Sequence, residues 1–383
     1  MRIGIYLGYR FKVNLDGVGV GRYIVRLTEG LLREKSETTV HILGMTSNIS
    51  EIEHVFMRLK ADFSERVTVY CSDNLNWINA NVPVDLWIIP AVIIDSAQYL
   101  TKPLIVCLHD VAYIHFPELE ELGKQVDGLV RVLTHNAAAV ICNSNYIRTC
   151  DGLNYLRLPE EKTHVVRPAA PIEEYLNTVL RSEQDFREHY QLDKSYFVFP
   201  SNMWPPHKNH IRLIDAFLRF KQTQATGHAG PDLVFTDIFA NFFHKDEFAQ
   251  IISAYDPELV RSIKFLGKVP SQDVPALYKY AAATAVPTLF EGSCPFPILE
   301  SLLMGTPVAF GRIAVAMEVI SDPSAFITFD PFDVADMQKA LGKLWENGPG
   351  TAEKQKAALS GFLARTWQDV AREYYEVIEG TIR

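Results

Sequence analysis

Two glutamates nine positions apart stand in the segment Phe290-Glu291-Gly292-Ser293-Cys294-Pro295-Phe296-Pro297-Ile298-Leu299-Glu300, which leads into Gly305-Thr306-Pro307-Val308. A carboxylate accepts two hydrogen bonds from vicinal hydroxyls, which suits a ribose or a hexose. The N–H groups of a glycine- and proline-shaped loop suit a diphosphate. The apolar setting argues against two idle surface glutamates, because a buried charge without a partner is costly. Cys294 reads as a small packing residue rather than a nucleophile. A second loop, Pro200-Ser201-Asn202-Met203-Trp204-Pro205-Pro206-His207-Lys208-Asn209-His210, is stiffened by two prolines. It brings Lys208 near the start of a helix, where cation and helix dipole can hold phosphate oxygens together. Leu108-His109-Asp110 ends a strand-like run, so His109 can reach a sugar hydroxyl or relay a proton, or simply cap the strand. Asp16-Gly17-Val18-Gly19-Val20-Gly21-Arg22-Tyr23 follows the first apolar run and opens the first helix. Such glycines admit an anion to a helix N-terminus or let helix and sheet pack closely. Their spacing is not that of the dinucleotide fingerprint. There is no D-x-D triplet and no His/Cys/Asp/Glu cluster at ligand spacing, so no metal site is expected.

The elements that must position these residues alternate. Ile3–Leu7, Val40–Leu43, Val67–Tyr70, Leu86–Ile89, Leu104–Leu108, Ala138–Cys142 and His164–Val166 are short Val/Ile-rich runs in the first half. Tyr196–Phe199, Leu233–Phe235, Ile263–Leu266, Ala283–Val286, Val308–Phe310 and Phe326–Phe329 repeat the plan in the second. Continuous apolar runs separated by helical periodicity predict parallel strands covered on both faces. Helices are predicted over Ile211–Lys221, Asp333–Trp345 and Trp367–Ile378. The predicted class is α/β, with two doubly wound, Rossmann-like domains facing a central cleft at the carboxyl ends of their strands. The boundaries read as 1–170 for the first domain, completed by a C-terminal helix over 366–383. A charged crossing over 171–190 follows it, and the second domain spans 191–365.

The chain has 383 residues, enough for two domains. Its net charge of −9 disfavours a general nucleic-acid binder. Five cysteines without a C-x-x-C pair argue against a disulfide framework and for a reducing compartment. The opening Met1-Arg2-Ile3-Gly4-Ile5-Tyr6-Leu7 does not read as a signal peptide. The longest apolar runs, Leu86 to Ile94 and Tyr280 to Leu289, fall short of the ~20 residues of a spanning helix. A soluble, cytoplasmic protein is expected. Peripheral contact with the inner face of a membrane is compatible with Arg22, Arg26 and Arg33 on the first helix, although a solvated face explains them better.

In this order the segments resemble a retaining glycosyltransferase of family 4 (glycosyltransferase group 1) with the two-domain GT-B fold. The resemblance spans nearly the whole chain. It rests on the glycine loop Gly17–Tyr23, Leu108-His109-Asp110, His207-Lys208-Asn209, Phe265-Leu266-Gly267-Lys268-Val269, the Glu291 to Glu300 region, and the Thr366-Trp367 ending. It implies that Glu300 holds the ribose of a sugar nucleotide and Glu291 the donor hexose. Lys208 and the amides of Ser293, Cys294, Pro295 and Phe296 would hold the diphosphate, although proline brings no N–H. Gly267 and Val269 would line the base site. His109 would sit near the transferred sugar and the acceptor, as a catalytic group with Glu291. Gly17 and Gly19 would approach the phosphates. No metal or redox cofactor is implied, and the leaving diphosphate would be stabilised electrostatically by protein groups.

Two features depart from the family pattern. Eight residues separate the glutamates where seven are usual, and Asn202 and Met203 occupy the positions where an arginine often stands. Asn202 then replaces a cation in the donor site. The Trp204 to His210 pattern is similar to bacterial mannosyl- and rhamnosyltransferases of surface-polysaccharide and lipopolysaccharide assembly. That favours GDP-mannose as donor and a glycan or lipid-linked glycan as acceptor. A sugar-nucleotide 2-epimerase on the same fold and a non-catalytic sugar-nucleotide-binding subunit stay open as alternatives.

Overall fold

The computed structural model describes residues 1–15, 19–223, 230–347 and 350–382. They form two α/β units: residues 1–169 with the segment from Arg365 onward, and residues 170–364. The first unit holds β1 (Arg2–Leu7), β2 (Thr39–Gly44), β3 (Val67–Cys71), β4 (Leu86–Ile89), β5 (Leu104–Leu108), β6 (Ala139–Cys142) and β7 (Thr163–Val165). They make one parallel sheet in the order β3-β2-β1-β4-β5-β6-β7. The second unit holds β8 (Tyr196–Phe199), β9 (Asp232–Phe235), β10 (Ile263–Phe265), β11 (Ala283–Val286), β12 (Val308–Gly311) and β13 (Ile327–Phe329). Its parallel sheet runs β10-β9-β8-β11-β12-β13.

All thirteen strands fall on apolar runs of the sequence. The inner strands β4, β5, β6, β8, β9, β11 and β12 are buried at every residue, while the edge strands β3, β7, β10 and β13 are partly exposed. That difference explains the continuous runs, since only a strand covered on both faces loses its polar alternation. In each sheet the winding reverses once, between β1 and β4 and between β8 and β11. Ligands of open α/β sheets bind outside the carboxyl ends of the strands at such a switch point.

The stretch 171–190, expected as a crossing, is part of the second unit. It forms the helices Ile172–Leu176 and Glu183–Tyr190. Phe186 is fully buried, and Asp273 accepts from Arg181 Nε (2.9 Å) and the Tyr190 hydroxyl (2.8 Å).

Helix Trp367–Ile382 packs on helix Gly19–Glu34 and closes the first unit. Gly30 makes this approach feasible, because a Cβ there would lie 2.4 Å from the Trp367 carbonyl oxygen. The Tyr23 and Tyr374 hydroxyls pair at 2.5 Å, and Tyr375 donates to the Leu31 carbonyl (2.9 Å). In the glycine loop, Gly17 and Val18 lie outside the described residues. A Cβ on Gly19 would meet nothing within 4 Å, whereas one on Gly21 would sit 1.8 Å from the Leu15 carbonyl oxygen. Of the two described glycines of this loop, Gly21 carries the packing demand. No helix among the described residues is long and apolar enough to cross a membrane.

Candidate functional site

In the second unit, the loops after β8 and β11 flank the switch point. Lys208 ends a short turn, Pro206–Lys208, ahead of helix His210–Thr223. Its Nζ donates to Glu291 Oε1 at 2.5 Å, and both side chains are 21% exposed. Two backbone devices hold this pair. The Leu289 N–H donates to the His207 carbonyl (2.8 Å). Asn209, buried and left-handed with φ 60°, donates from Nδ2 to the carbonyls of Pro287 (2.9 Å) and Pro331 (2.7 Å). Asparagine tolerates that conformation better than most residues. Asn209 was not assigned a role from sequence; its position directly after Lys208 was the available signal.

Helix Phe296–Leu303 follows the β11 loop and carries Glu300 on its buried side. The Tyr278 hydroxyl donates to Glu300 Oε2 at 2.7 Å. Thr306 Oγ1 donates to the Tyr278 carbonyl (2.7 Å), and Ser301 Oγ to the Thr306 carbonyl (2.8 Å), so the Gly305-Thr306 turn braces the Tyr278–Glu300 pair. Cys294 is buried with a free thiol, and burial pushes its pKa up, which fits packing and not nucleophilic attack. Ser293 and Phe296 are half-buried and Pro295 is buried in the same loop.

Gly267 follows β10 with φ 74°, a left-handed conformation that favours glycine, and Val269 is buried. A Cβ on Gly267 would lie 3.5 Å from Ile238 Cγ2. Ile238 and Phe239, both partly exposed, thus add an apolar surface beside Gly267 that the sequence reading had not singled out. Asn202 is exposed, and the neighbouring Met203 N–H donates to Asp237 Oδ2 (3.0 Å). His210 is enclosed by Phe199, Phe235 and Phe242, with ring centroids 5.0, 5.3 and 6.2 Å away. Burial pushes its pKa down to about 3, and burial with the nearby Lys208 charge does the same for His207.

In the first unit, His109 leaves the end of β5. Its Nε2 lies 2.8 Å from the Pro90 carbonyl oxygen, past the end of β4. Its Nδ1 lies 2.7 Å from Asn143 Nδ2, past the end of β6. A carbonyl can only accept, so Nε2 carries the hydrogen, Nδ1 accepts, and Asn143 donates. Burial pushes the His109 pKa down to about 4. The expected proton relay is corrected on this ground: the ring is neutral near pH 7 and both nitrogens are engaged. Tyr23 packs edge-on against it at 5.0 Å and against Trp367 at 5.5 Å.

The structure thus brings Lys208, Glu291 and the Cys294 loop together at the β8/β11 switch point of one unit, with Glu300 in the helix that follows. His109 belongs to the other unit. Among the described residues, no three His, Cys, Asp or Glu side chains gather as a metal-binding group.

Residues 194–347, which contain Lys208, Gly267, Glu291 and Glu300, match the family described as Glycosyl transferases group 1. That match covers 154 of the 383 residues, less than half of the chain. Among solved structures, Anabaena HepE in complex with UDP and glucose superposes with a TM-score of 0.71 over 99% of this chain and 100% of that one, at 18% identity. A glycosyltransferase from Rickettsia africae gives 0.72 over 100% and 98% at 15% identity. Sucrose-phosphate synthase from Thermosynechococcus elongatus gives 0.70 over 99% and 98% at 12% identity. With two parallel Rossmann-like sheets, the fold is GT-B.

Two curated proteins match shorter stretches of the GT-B chain. O-antigen chain mannosyltransferase B of Escherichia coli is 39% identical over 72 residues, 19% of this chain and 18% of that protein. D-inositol 3-phosphate glycosyltransferase of Corynebacterium kroppenstedtii is 27% identical over 121 residues, 32% of this chain and 27% of that one. The matches span less than a third of either relative.

Proposed function

We propose that the protein is a glycosyltransferase that moves a hexose from a nucleoside-diphosphate sugar to a glycan or lipid-linked glycan, with retention at the sugar carbon and without a metal. One observation carries the reading. The Lys208–Glu291 pair spans the switch point of the group 1 domain, with Glu300 in the helix that leaves the same loop. In this reading Glu300 takes the ribose hydroxyls. Lys208 and the amides around Ser293 to Phe296 take the diphosphate and stabilise it as it leaves. Glu291 then turns to the hexose. A fixed ammonium and fixed backbone dipoles lower the barrier because they need no reorganisation as charge develops on the leaving group. His109, with both nitrogens engaged, contributes contact and hydrogen-bonded rigidity rather than a proton.

The donor favoured is GDP-mannose. Support comes from the 72-residue similarity to an O-antigen mannosyltransferase, while a structural neighbour holding UDP-glucose makes uridine donors the competing choice. The same similarity supports polysaccharide assembly as the setting.

The test is donor turnover by the full chain in EDTA with GDP-mannose, UDP-glucose and dTDP-rhamnose, alongside thermal shifts with each. Slow release of nucleoside diphosphate from one donor, undiminished by the chelator, is expected. Binding raises the apparent stability by mass action, so the same donor should give the largest shift. His109→Ala, which removes the ring that bonds Pro90 and Asn143, should lower turnover and leave nucleoside-diphosphate affinity unchanged. Interconversion of the free sugar nucleotide would replace this reading with the epimerase. Binding without any turnover in the presence of acceptor lipid extracts would replace it with the binding subunit.

A further inference from the structure

At the amino ends of β8, β9 and β10, opposite the loops described above, the second unit carries a cavity of about 140 Å³ that is open to solvent on the side of the exposed Lys194. Lys194, Lys221 and Lys264 line it, together with Asp232 and Ser262. Arg261 and Glu258 also line it but pair with each other, and Asp193 stands exposed on the rim.

Lys221 is 1% exposed, near the end of helix His210–Thr223. Among the described residues its ammonium reaches the carbonyls of Gly230 and Pro231, at 3.4 and 3.3 Å. Both contacts are longer than the usual range of about 2.7–3.2 Å. Among the described residues no carboxylate lies within 4.0 Å of Lys194, Lys221 or Lys264, although the charges of all three act on Asp232. Asp232 is 5% exposed, and burial raises its pKa. Three ammonium groups and a buried carboxyl therefore surround a space that none of them fills. A buried ammonium without an anionic partner is costly, and an anion in the cavity removes that cost.

We infer that this cavity is a binding site for a phosphate group, as inorganic phosphate or a phosphomonoester, separate from the sugar-nucleotide site. The volume holds a tetrahedral anion and a few waters at about 30 Å³ each. Three oxygens accept from the three lysines. The fourth, protonated in a hydrogen phosphate, donates to Asp232. Sulfate has the same shape and no proton near pH 7, so it would set two acceptors against each other at Asp232. The preference for phosphate over sulfate is thus built into one carboxyl group.

The full chain carrying Lys208→Ala, which removes the cation of the other phosphate site, is titrated calorimetrically at pH 7 and constant ionic strength. The probes are sodium phosphate, sodium sulfate and glycerol 2-phosphate. One saturable phosphate site is expected, with sulfate weaker by about tenfold or more, the loss typical of an unsatisfied charged group. Tighter binding of glycerol 2-phosphate than of phosphate would assign the site to phosphomonoesters, and the reverse to the free ion. Lys194→Ala with Lys264→Ala, both away from the core, should weaken phosphate by about tenfold or more. Asp232→Asn should erase the difference between phosphate and sulfate. Absence of a saturable site, equal binding of the two anions by the chain with Asp232 intact, or indifference to the lysine changes would overturn the inference. None of these outcomes depends on sugar transfer.

Discussion

Glu291→Gln is the substitution whose outcome can be worked furthest from the structure. Without a nucleotide, the Glu291 carboxylate lies 2.5 Å from Lys208 Nζ. Two unit charges at that separation attract by roughly 6–7 kcal/mol in a dielectric near 20. Most of this is offset by the loss of solvation at a part-buried site, which leaves the usual net of about 1.5–3 kcal/mol for a charge-assisted hydrogen bond. A diphosphate arriving at Lys208 must trade against that bond. Glutamine keeps the shape and removes the charge, so the lysine waits unneutralised. Nucleoside diphosphate should then bind more tightly, by about 1 kcal/mol or roughly fivefold, because part of the former bond energy no longer opposes it. Turnover should fall, since the hexose loses a charged acceptor. Lys208→Ala should weaken the same nucleotide instead. Calorimetric titration of UDP and GDP into the three proteins at one ionic strength reads the sign directly. If Glu291→Gln weakens the nucleotide as much as Lys208→Ala does, the carboxylate holds the lysine in place for phosphate and does not compete with it. The division of labour argued above then fails.

Glu300→Gln should cost about 1.5–3 kcal/mol in nucleoside-diphosphate affinity, the usual worth of a hydrogen bond to a charged group, because ribose is the same in substrate and product. Tyr278→Phe, which frees the bonded oxygen without removing the charge, should cost less in the same titration. Acid should destabilise the fold through three histidines whose pKa values are depressed, His109 to about 4 and His207 and His210 to about 3. Their stabilising effect is complete above the unfolded value of about 6.5 and drains away as pH falls from there toward 4 and 3. Each contributes about 1.4 kcal/mol per pH unit over that window, or roughly 2 kcal/mol between pH 6.5 and 5. Unfolding midpoints should drop over this range. The drop should be shallower in His210→Phe, which suits the surrounding phenylalanines, and an unchanged slope would remove His210 from the account.

The fold was legible because burial on both faces writes itself into consecutive residues. Leu104-Ile105-Val106-Cys107-Leu108 admits few readings other than an inner strand. The segment 171–190 misled for the opposite reason. Its helices anchor through single residues, Tyr175 and Phe186, too few to set up a period among so many charges. Residue types at the site could be read from local pattern, but their partners could not. Lys208 and Glu291 are 83 positions apart, His109 and Asn143 are 34 apart, and only the sheet order brings each pair together. The glycine loop shows the same limit. Gly19 and Gly21 look equivalent in sequence, and the Leu15 carbonyl, 1.8 Å from where a Cβ of Gly21 would lie, decides which of the two carries the packing constraint.

The return of helix Trp367–Ile382 to the first unit sets a timetable for synthesis. The unit of residues 1–169 leaves the ribosome before residues 170–364 but cannot finish until the helix Trp367–Ile382 emerges. Residues 170–364, 195 of them, are translated in between. At about 5–20 residues per second that is a wait of roughly 10–40 s. Throughout it, the face of helix Gly19–Glu34 that will meet Trp367, Ala371 and Tyr375 has no cover, and the Tyr23 hydroxyl lacks its eventual partner Tyr374. The later-made unit can close its own core meanwhile. A premature stop just before Trp367 therefore damages the earlier-made of the two units, and a nascent chain stalled there presents an apolar groove to chaperones.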